Sequence, residues 1–352
     1  MDFVKNRVMQ FPRDVYVGHE VLHNLIPIAK NYTKNRKISI ITGHNSYSII
    51  GKQIAELLSQ ENFEVEVLIT GDATELNVRE AIDFIKGKRS GLVIGIGGGS
   101  KIDIAKIVSK ALKIPHISFP TIPSHDGIAS PRATIKREGG YVSEQAVMPI
   151  AIIADTSIMV KAPFRYLASG AADVISNITA VLDWKLAARV VGEEYSSSAA
   201  TLSEYASTEL IEKAHLIQPG IEEAVWLVVK QILASGTAMA IASSSRPASG
   251  SEHLFAHSLE KHGSGDAMHG EQCAMGSVVS LYMHGGDWQK LVRTYSKFGL
   301  SIRAEDYGIS ASDAVEALRT AHSIRPDRYT IFGTVDLSEG AARRSLEITG
   351  II

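Results

Sequence analysis

The sequence predicts two domains of different class, an α/β domain over residues 1–158 and an all-helical domain over residues 159–352. Three observations carry that expectation. A chain of 352 residues exceeds one ordinary hydrophobic core, which favours two domains sharing a cleft. Roughly the first 155 residues alternate short β-branched runs with longer helical patterns, as in a doubly wound parallel sheet. Beyond about residue 160 strand-like runs stop and long helical periodicities take over.

In chain order, the strands are expected at 37–42 (KISIIT), 64–70 (EVEVLIT), 92–96 (LVIGI), 116–119 (HISF) and 151–154 (AIIA). Several are apolar nearly throughout, as parallel strands buried on both faces are. Helical patterns lie between them at 47–61, 77–86 and 102–112. The second half holds further helical patterns at 164–191, 197–216, 221–242, 252–262, 268–284, 287–298 and 310–324. Pro163 stands before the first and Gly299 after the sixth. The most apolar stretch, 224–242, is broken by Lys230 and Gln231 and followed by SSSRPASG, so it reads as a buried helix and not a membrane span. There is no internal repeat and no low-complexity tract.

Composition narrows the function. An apolar content of 45% and a charged content of 21% are those of a soluble globular protein. A net charge of -2 without a basic block argues against nucleic-acid binding. The single cysteine, Cys273, permits no intrachain disulfide and reads as a small core residue. The N-terminal segment MDFVKNRVMQFPRDVYVG has scattered charges and no apolar signal core, so a cytoplasmic protein is expected.

Three motifs carry chemistry. The run Gly97, Gly98, Gly99, Ser100, Lys101, Ile102, Asp103 leaves a strand and opens a helix. Glycines there let the backbone approach a ligand, and a helix N-terminus offers free N–H groups to a pyrophosphate, which points to a dinucleotide. The second motif, residues 121–131 (TIPSHDGIASP), follows the HISF strand, where ligands of open α/β sheets bind. In the third, His253 and His257 share a helical face, and His269 starts the next helix after a glycine-containing turn. Asp173, amid Gly170, Ala171, Ala172, Val174 and Ile175, is the best third ligand, because a carboxylate in an apolar helix demands a partner. Two histidines and a carboxylate with an open position suit catalytic zinc or ferrous iron.

Taken together, these motifs (GGGSxxD, SHDGIASP, the GAAD helix, and HxxxH followed by HGE) resemble the glycerol dehydrogenase and iron-type alcohol dehydrogenase superfamily. SHDGIASP and SEHLFAHSLE are most similar to the archaeal sn-glycerol-1-phosphate dehydrogenase family, and the likeness runs from near Phe11 to the C-terminus. The resemblance implies a dehydroquinate synthase-like fold: an α/β dinucleotide-binding domain, an all-α domain and an active site in the cleft between them. It implies that Gly97, Gly98, Gly99, Ser100 and Lys101, with Asp103, cradle NAD or NADP. Thr121, Ile122, Pro123, Ser124 and Ser130 would line its nicotinamide side. Asp173, His253 and His269 would hold one Zn2+ per subunit. Asp126 and His257 would face the substrate and take part in catalysis, with Asp173 also at the substrate. The implied reaction is reversible reduction of dihydroxyacetone phosphate to sn-glycerol 1-phosphate, a precursor of archaeal membrane phospholipids, and a homo-oligomer is expected. Lys261, Arg325 and Arg328 are candidates for the substrate phosphate. The same histidine pattern also resembles 3-dehydroquinate synthase, though that family usually has Glu at the position of Asp173. A plain glycerol dehydrogenase is the other alternative. Thr42, Gly43, His44 and Asn45 are placed to meet the adenosine ribose without deciding between NAD and NADP.

Overall fold

The computed structural model describes residues 8–124, 126–137 and 140–352, and the side chain of Asp126 lies outside that description. Six strands form one parallel sheet: β1 Asp14–Gly18, β2 Lys37–Thr42, β3 Glu64–Ile69, β4 Leu92–Gly97, β5 His116–Pro120 and β8 Ala151–Asp155. Their order is β1-β8-β5-β4-β2-β3. The central strands β4, β5 and β8 are buried at every position, which explains their unbroken apolar reading. The helices α1 Leu25–Tyr32 and α2 Lys52–Gln60 cover one face with Leu25, Ile28, Ile54 and Leu58. On the other face lie α3 Glu75–Lys88 and α4 Gly99–Leu112, with Val78, Ala81, Ile104 and Val108.

Two features depart from the expected pattern. The edge strand β1 pairs parallel with β8, yet DVYVG is too short and polar to stand out in sequence. A two-stranded antiparallel hairpin, β6 Arg132–Arg137 and β7 Gly140–Gln145, fills a stretch in which no strand was expected. Only Ala133 and Ile135 on β6 enter the core, beneath α3 and α4, so its charged residues mask the alternation.

Register sets up the site. Ile96 lies opposite Phe119 and Gly97 opposite Pro120, so the glycine turn and the loop after β5 leave the same edge side by side. The Thr121 N–H donates to the Gly97 carbonyl at 3.0 Å and ties them. This edge is also where the sheet order reverses, between β2 and β4, the usual ligand crevice of such sheets.

The second half contains α5 Phe164–Val190, α6 Ser197–Glu212, α7 Glu222–Ala242, α8 Ser251–His262, α9 His269–Met283, α10 Trp288–Ser296, α11 Ala311–Thr320 and α12 Glu339–Thr349. Their core is continuous with Ile102, Ile152 and Ala154 of the sheet half. By length and composition α7 is apolar enough to cross a membrane, with mean hydropathy 1.6, but 67% of that window is buried inside the protein. Close approach is made possible by small residues. A Cβ on Gly276 of α9 would sit 2.5 Å from the Glu252 carbonyl oxygen of α8, and one on Gly170 of α5 would meet the Pro123 carbonyl. The first contact brings α8 and α9 together; the second docks the loop after β5 onto α5.

Candidate active site

Three helices converge on one cluster of donor atoms. Asp173 stands in α5 and is 2% exposed, His253 is in the first turn of α8, and His269 opens α9. Their ligand atoms, together with Cys273 Sγ, lie within 4.8 Å of one another. His253 Nε2 is 3.5 Å and His269 Nε2 3.7 Å from Asp173 Oδ1, and Cys273 Sγ is 3.6 Å from His269 Nε2. Tetrahedral zinc, with bonds of about 2.0–2.3 Å, needs donor separations of about 3.3–3.8 Å, a range that covers these three contacts, so the group has the spacing and the donor chemistry of a metal site. Burial disfavours the protonated forms of His253 and His269. The Cys273 sulfur and the Asp173 carboxylate outweigh that effect and raise both well above the ordinary imidazole range. Such a cluster favours a cation.

Two carboxylates outside this group orient it. Glu252, fully buried, accepts from His253 Nδ1 at 2.9 Å, from Thr179 Oγ1 at 2.8 Å and from the Gly250 N–H at 2.5 Å. Because a carboxylate only accepts, Nδ1 carries the proton and Nε2 is turned toward Asp173. Glu260 accepts from His257 Nδ1 at 2.9 Å and lies 3.9 Å from His269 Nδ1. Burial raises the Glu260 carboxyl, but its bonds from His257 and His269 prevail and bring it down to about 2. Burial holds His257 below the usual imidazole range, aided by His269 and His253 and opposed by Glu260. The Glu271 of the HGE motif faces elsewhere. It accepts from Arg165 at 2.6 and 2.8 Å and from the Met268 N–H at 2.7 Å, which satisfies a free backbone donor at the start of α9.

His253, His257 and His269 line a cavity of about 350 Å³ between the two halves of the molecule. Asp103, Gly127, Ser130, Arg132 and Thr134 contribute from the sheet half, and Ser245, Ser249 and Arg325 from the helical half. Of the cofactor residues expected from sequence, Gly97 has φ +142°, a conformation that L side chains rarely adopt, and a Cβ on Gly98 would meet Ile122 Cδ1 at 2.7 Å. Gly98 caps α4 without a side-chain hydrogen bond, and the Lys101 N–H turns back to the Gly98 carbonyl at 3.0 Å, which leaves the N–H groups of Gly99 and Ser100 to a ligand. A dinucleotide pyrophosphate fits that cradle. Lys101 Nζ donates to the Gly71 carbonyl at 2.5 Å, beside Gly43. Asp103 is committed to Lys106 Nζ at 3.0 Å and to the Thr134 N–H at 3.0 Å. Thr121 and Pro123 are buried, Ile122 and Ser124 partly so, and Ser130 is 1% exposed at the cavity wall. Asp126, expected at the substrate, falls outside the described side chains. Lys261 is exposed and absent from the cavity wall, and Arg328 is buried behind it.

From sequence Cys273 reads as a small core residue, and Glu252, Glu260 and Arg132 have no assigned role; the structure places Cys273 in the donor cluster, Glu252 and Glu260 on its histidines and Arg132 on the cavity wall. Cys273 is four residues after His269 on α9, a spacing that puts both on one face, and this was the available signal. Glu252 and Glu260 adjoin the histidines on α8 but gain meaning only from their partners.

Residues 16–163 match the family described as iron-containing alcohol dehydrogenase. The chain is 58% identical over 352 residues, covering 100% of both chains, to a glycerol-1-phosphate dehydrogenase (NAD(P)+) of Picrophilus torridus. It is 45% identical over 344 residues to one of Methanosarcina barkeri, covering 98% of this chain and 96% of the other. Among solved structures, a glycerol dehydrogenase of Schizosaccharomyces pombe superposes with a TM-score of 0.82 at 21% identity, over 98% of this chain and 91% of the other. An iron-containing alcohol dehydrogenase of Thermotoga maritima gives 0.72 at 17% identity, over 98% and 99%. The structural likenesses establish the iron-type alcohol dehydrogenase fold; the full-length identities establish more, and the chain belongs to the glycerol-1-phosphate dehydrogenase family.

Proposed function

We propose that this protein reversibly reduces dihydroxyacetone phosphate to sn-glycerol 1-phosphate with NADH or NADPH, in the cytoplasm, as a homo-oligomer with one Zn2+ per subunit held by Asp173, His253 and His269. The product would supply the glycerol backbone of membrane phospholipids. One observation carries the reading: His253 and His269 of the donor cluster line a single cavity with His257, Arg132 and Arg325, and Asp103, on the helix that the glycine turn opens, reaches the same wall.

When bound, the nicotinamide supplies the hydride and the divalent cation a Lewis acid for the ketone oxygen. The protein's own residues do the rest. Backbone N–H groups at the start of α4 hold the cofactor's pyrophosphate, and Gly97 and Gly98 leave room for it. Glu252 fixes the His253 ring so that Nε2 is presented to the cluster. His257, at the cavity wall with Nδ1 held by Glu260, passes a proton between the substrate oxygen and solvent. Asp126 and Asp173 contact the substrate in the same reading, and Thr121, Ile122, Pro123, Ser124 and Ser130 line the nicotinamide.

The deciding experiment is turnover of NADH and NADPH with dihydroxyacetone phosphate against dihydroxyacetone. The reading expects a strong preference for the phosphorylated ketone. Equal rates, or preference for the unphosphorylated one, would return the protein to the glycerol dehydrogenase alternative.

A further inference from the structure

Charge in the cavity is unevenly placed. Arg132 opens β6 from the sheet half and Arg325 comes from the helical half, and both line the cavity that holds the three histidines. Among the described residues Arg132 makes no ion pair. Its guanidinium donates to the Ser143 carbonyl at 2.6 Å, to Ser143 Oγ at 3.4 Å from Nε, and to Gln145 Oε1 at 3.5 Å. The nearby Glu144 is taken up by Arg137 at 2.9 Å. Arg325 has Asp327, 3.5 Å away and 75% exposed, and Ser245 Oγ at 3.5 Å.

A third guanidinium stands behind them. Arg328 is 5% exposed and donates to Ser245 Oγ at 2.8 Å and to the Ser249 carbonyl, but among the described residues it too makes no ion pair. Arg246 is paired with Glu193 and adds no net charge. Asp103, the other carboxylate on the wall, is paired with Lys106. Three cations thus face one exposed carboxylate in a partly desolvated space. Burial lowers both Arg132 and Arg328, and Arg325 lowers each further. Gathering like charges away from water is costly unless an anion completes the group. The placement is also built. Lys106, fully buried, donates to the carbonyl of Arg132 at 2.6 Å and to that of Gly127, so α4 fixes the start of β6.

We propose that Arg132 and Arg325 together hold the phosphate dianion of the substrate, one guanidinium from each half of the molecule, with Arg328 contributing positive potential through Ser245. A planar guanidinium binds phosphate oxygens in pairs, and two of them on opposite walls fix the ketone end against the histidines. The inference rests on the reading above that the substrate is a phosphorylated ketone. It makes the two arginines the residues that set specificity, and Lys106 a positioning residue for Arg132.

The test uses Arg132→Gln, Arg325→Gln and the corresponding Lys variants of the full chain with its metal. For dihydroxyacetone phosphate, kcat/KM should fall about 10- to 100-fold in each Gln variant, mainly through KM, as expected for loss of a charge-assisted hydrogen bond. Turnover of dihydroxyacetone should stay within about threefold, and the Lys variants should recover part of the loss. Independently of turnover, inorganic phosphate should raise the melting temperature of the parent protein and not of the Gln variants. Equal losses on both ketones, or a phosphate shift that survives both Gln substitutions, would overturn the assignment. If the parent fails to prefer the phosphorylated ketone, the functional reading falls, while the arginine-dependent phosphate shift still decides whether this is an anion site.

Discussion

His257 and His253 sit one helical turn apart on α8 and yet have separate partners: Glu260 holds one, Glu252 and Asp173 the other. That separation predicts separable losses. His257→Ala should keep its metal but lose turnover by roughly 10²–10⁴-fold, the range of a positioned proton-transfer group, whereas His253→Ala should lose metal and activity together. Metal analysis and steady-state kinetics on one preparation decide it, and loss of metal from His257→Ala would make that residue a ligand. The histidines could be singled out in the sequence because the i, i+4 spacing is local, and Asp173 because a carboxylate in an apolar helix is anomalous. Glu252, Glu260 and Arg132 could not. Each is an ordinary charged residue whose role arises from a neighbour that folding supplies, as Arg132 needs Arg325, from the far end of the chain, to become half of a site.

Among elements, the pairing of α8 with α9 governs the donor cluster, since each contributes one histidine. Their approach depends on Gly276, where even a methyl group would collide with the Glu252 backbone at 2.5 Å. Gly276→Ala should therefore cost about 1–3 kcal/mol of stability by overpacking and reduce metal occupancy, because Glu252 and His253 shift with the α8 backbone. Denaturation and metal analysis measure the two effects, and a variant with unaltered stability would show that the helices adapt. The central strands and long helices were legible because their apolar runs and periods are strong. The edge strand β1, the hairpin β6–β7 and α12 were not, since β1 and β7 are nowhere fully buried and β6 and α12 bury only two or three side chains each.

For the molecule as a whole, stability in acid follows from a residue remote from the chemistry. His116, at the start of β5, is 1% exposed, and among the described residues neither ring nitrogen has a hydrogen-bond partner. Burial, reinforced by Lys106, depresses it from 6.5 to about 3. Between those values the unfolded chain binds a proton that the folded chain refuses, so the native state is at full advantage above pH 6.5 and loses it as pH falls. The loss is about 1.4 kcal/mol per pH unit within that window. Unfolding free energies at pH 7 and pH 5 should differ by about 2 kcal/mol from this group alone, and His116→Leu should remove that difference. An unchanged pH dependence in the variant would assign the acid sensitivity elsewhere.

The donor atoms of Asp173, His253 and His269 come from three helices that lie far apart along the chain. An unfolded chain scatters them, so an ion held by this cluster would favour the native state, and mass action would make it a structural staple as well as a reagent. At a free concentration one hundred times its dissociation constant it would add about 2.7 kcal/mol to the stability of the fold. Stripping the ion with a chelator should therefore lower the melting temperature, and the shift should grow with the concentration at which the ion is restored. The helices α5, α8 and α9 should exchange their amide protons faster than the strands β4 and β5, whose hydrogen bonds owe nothing to it.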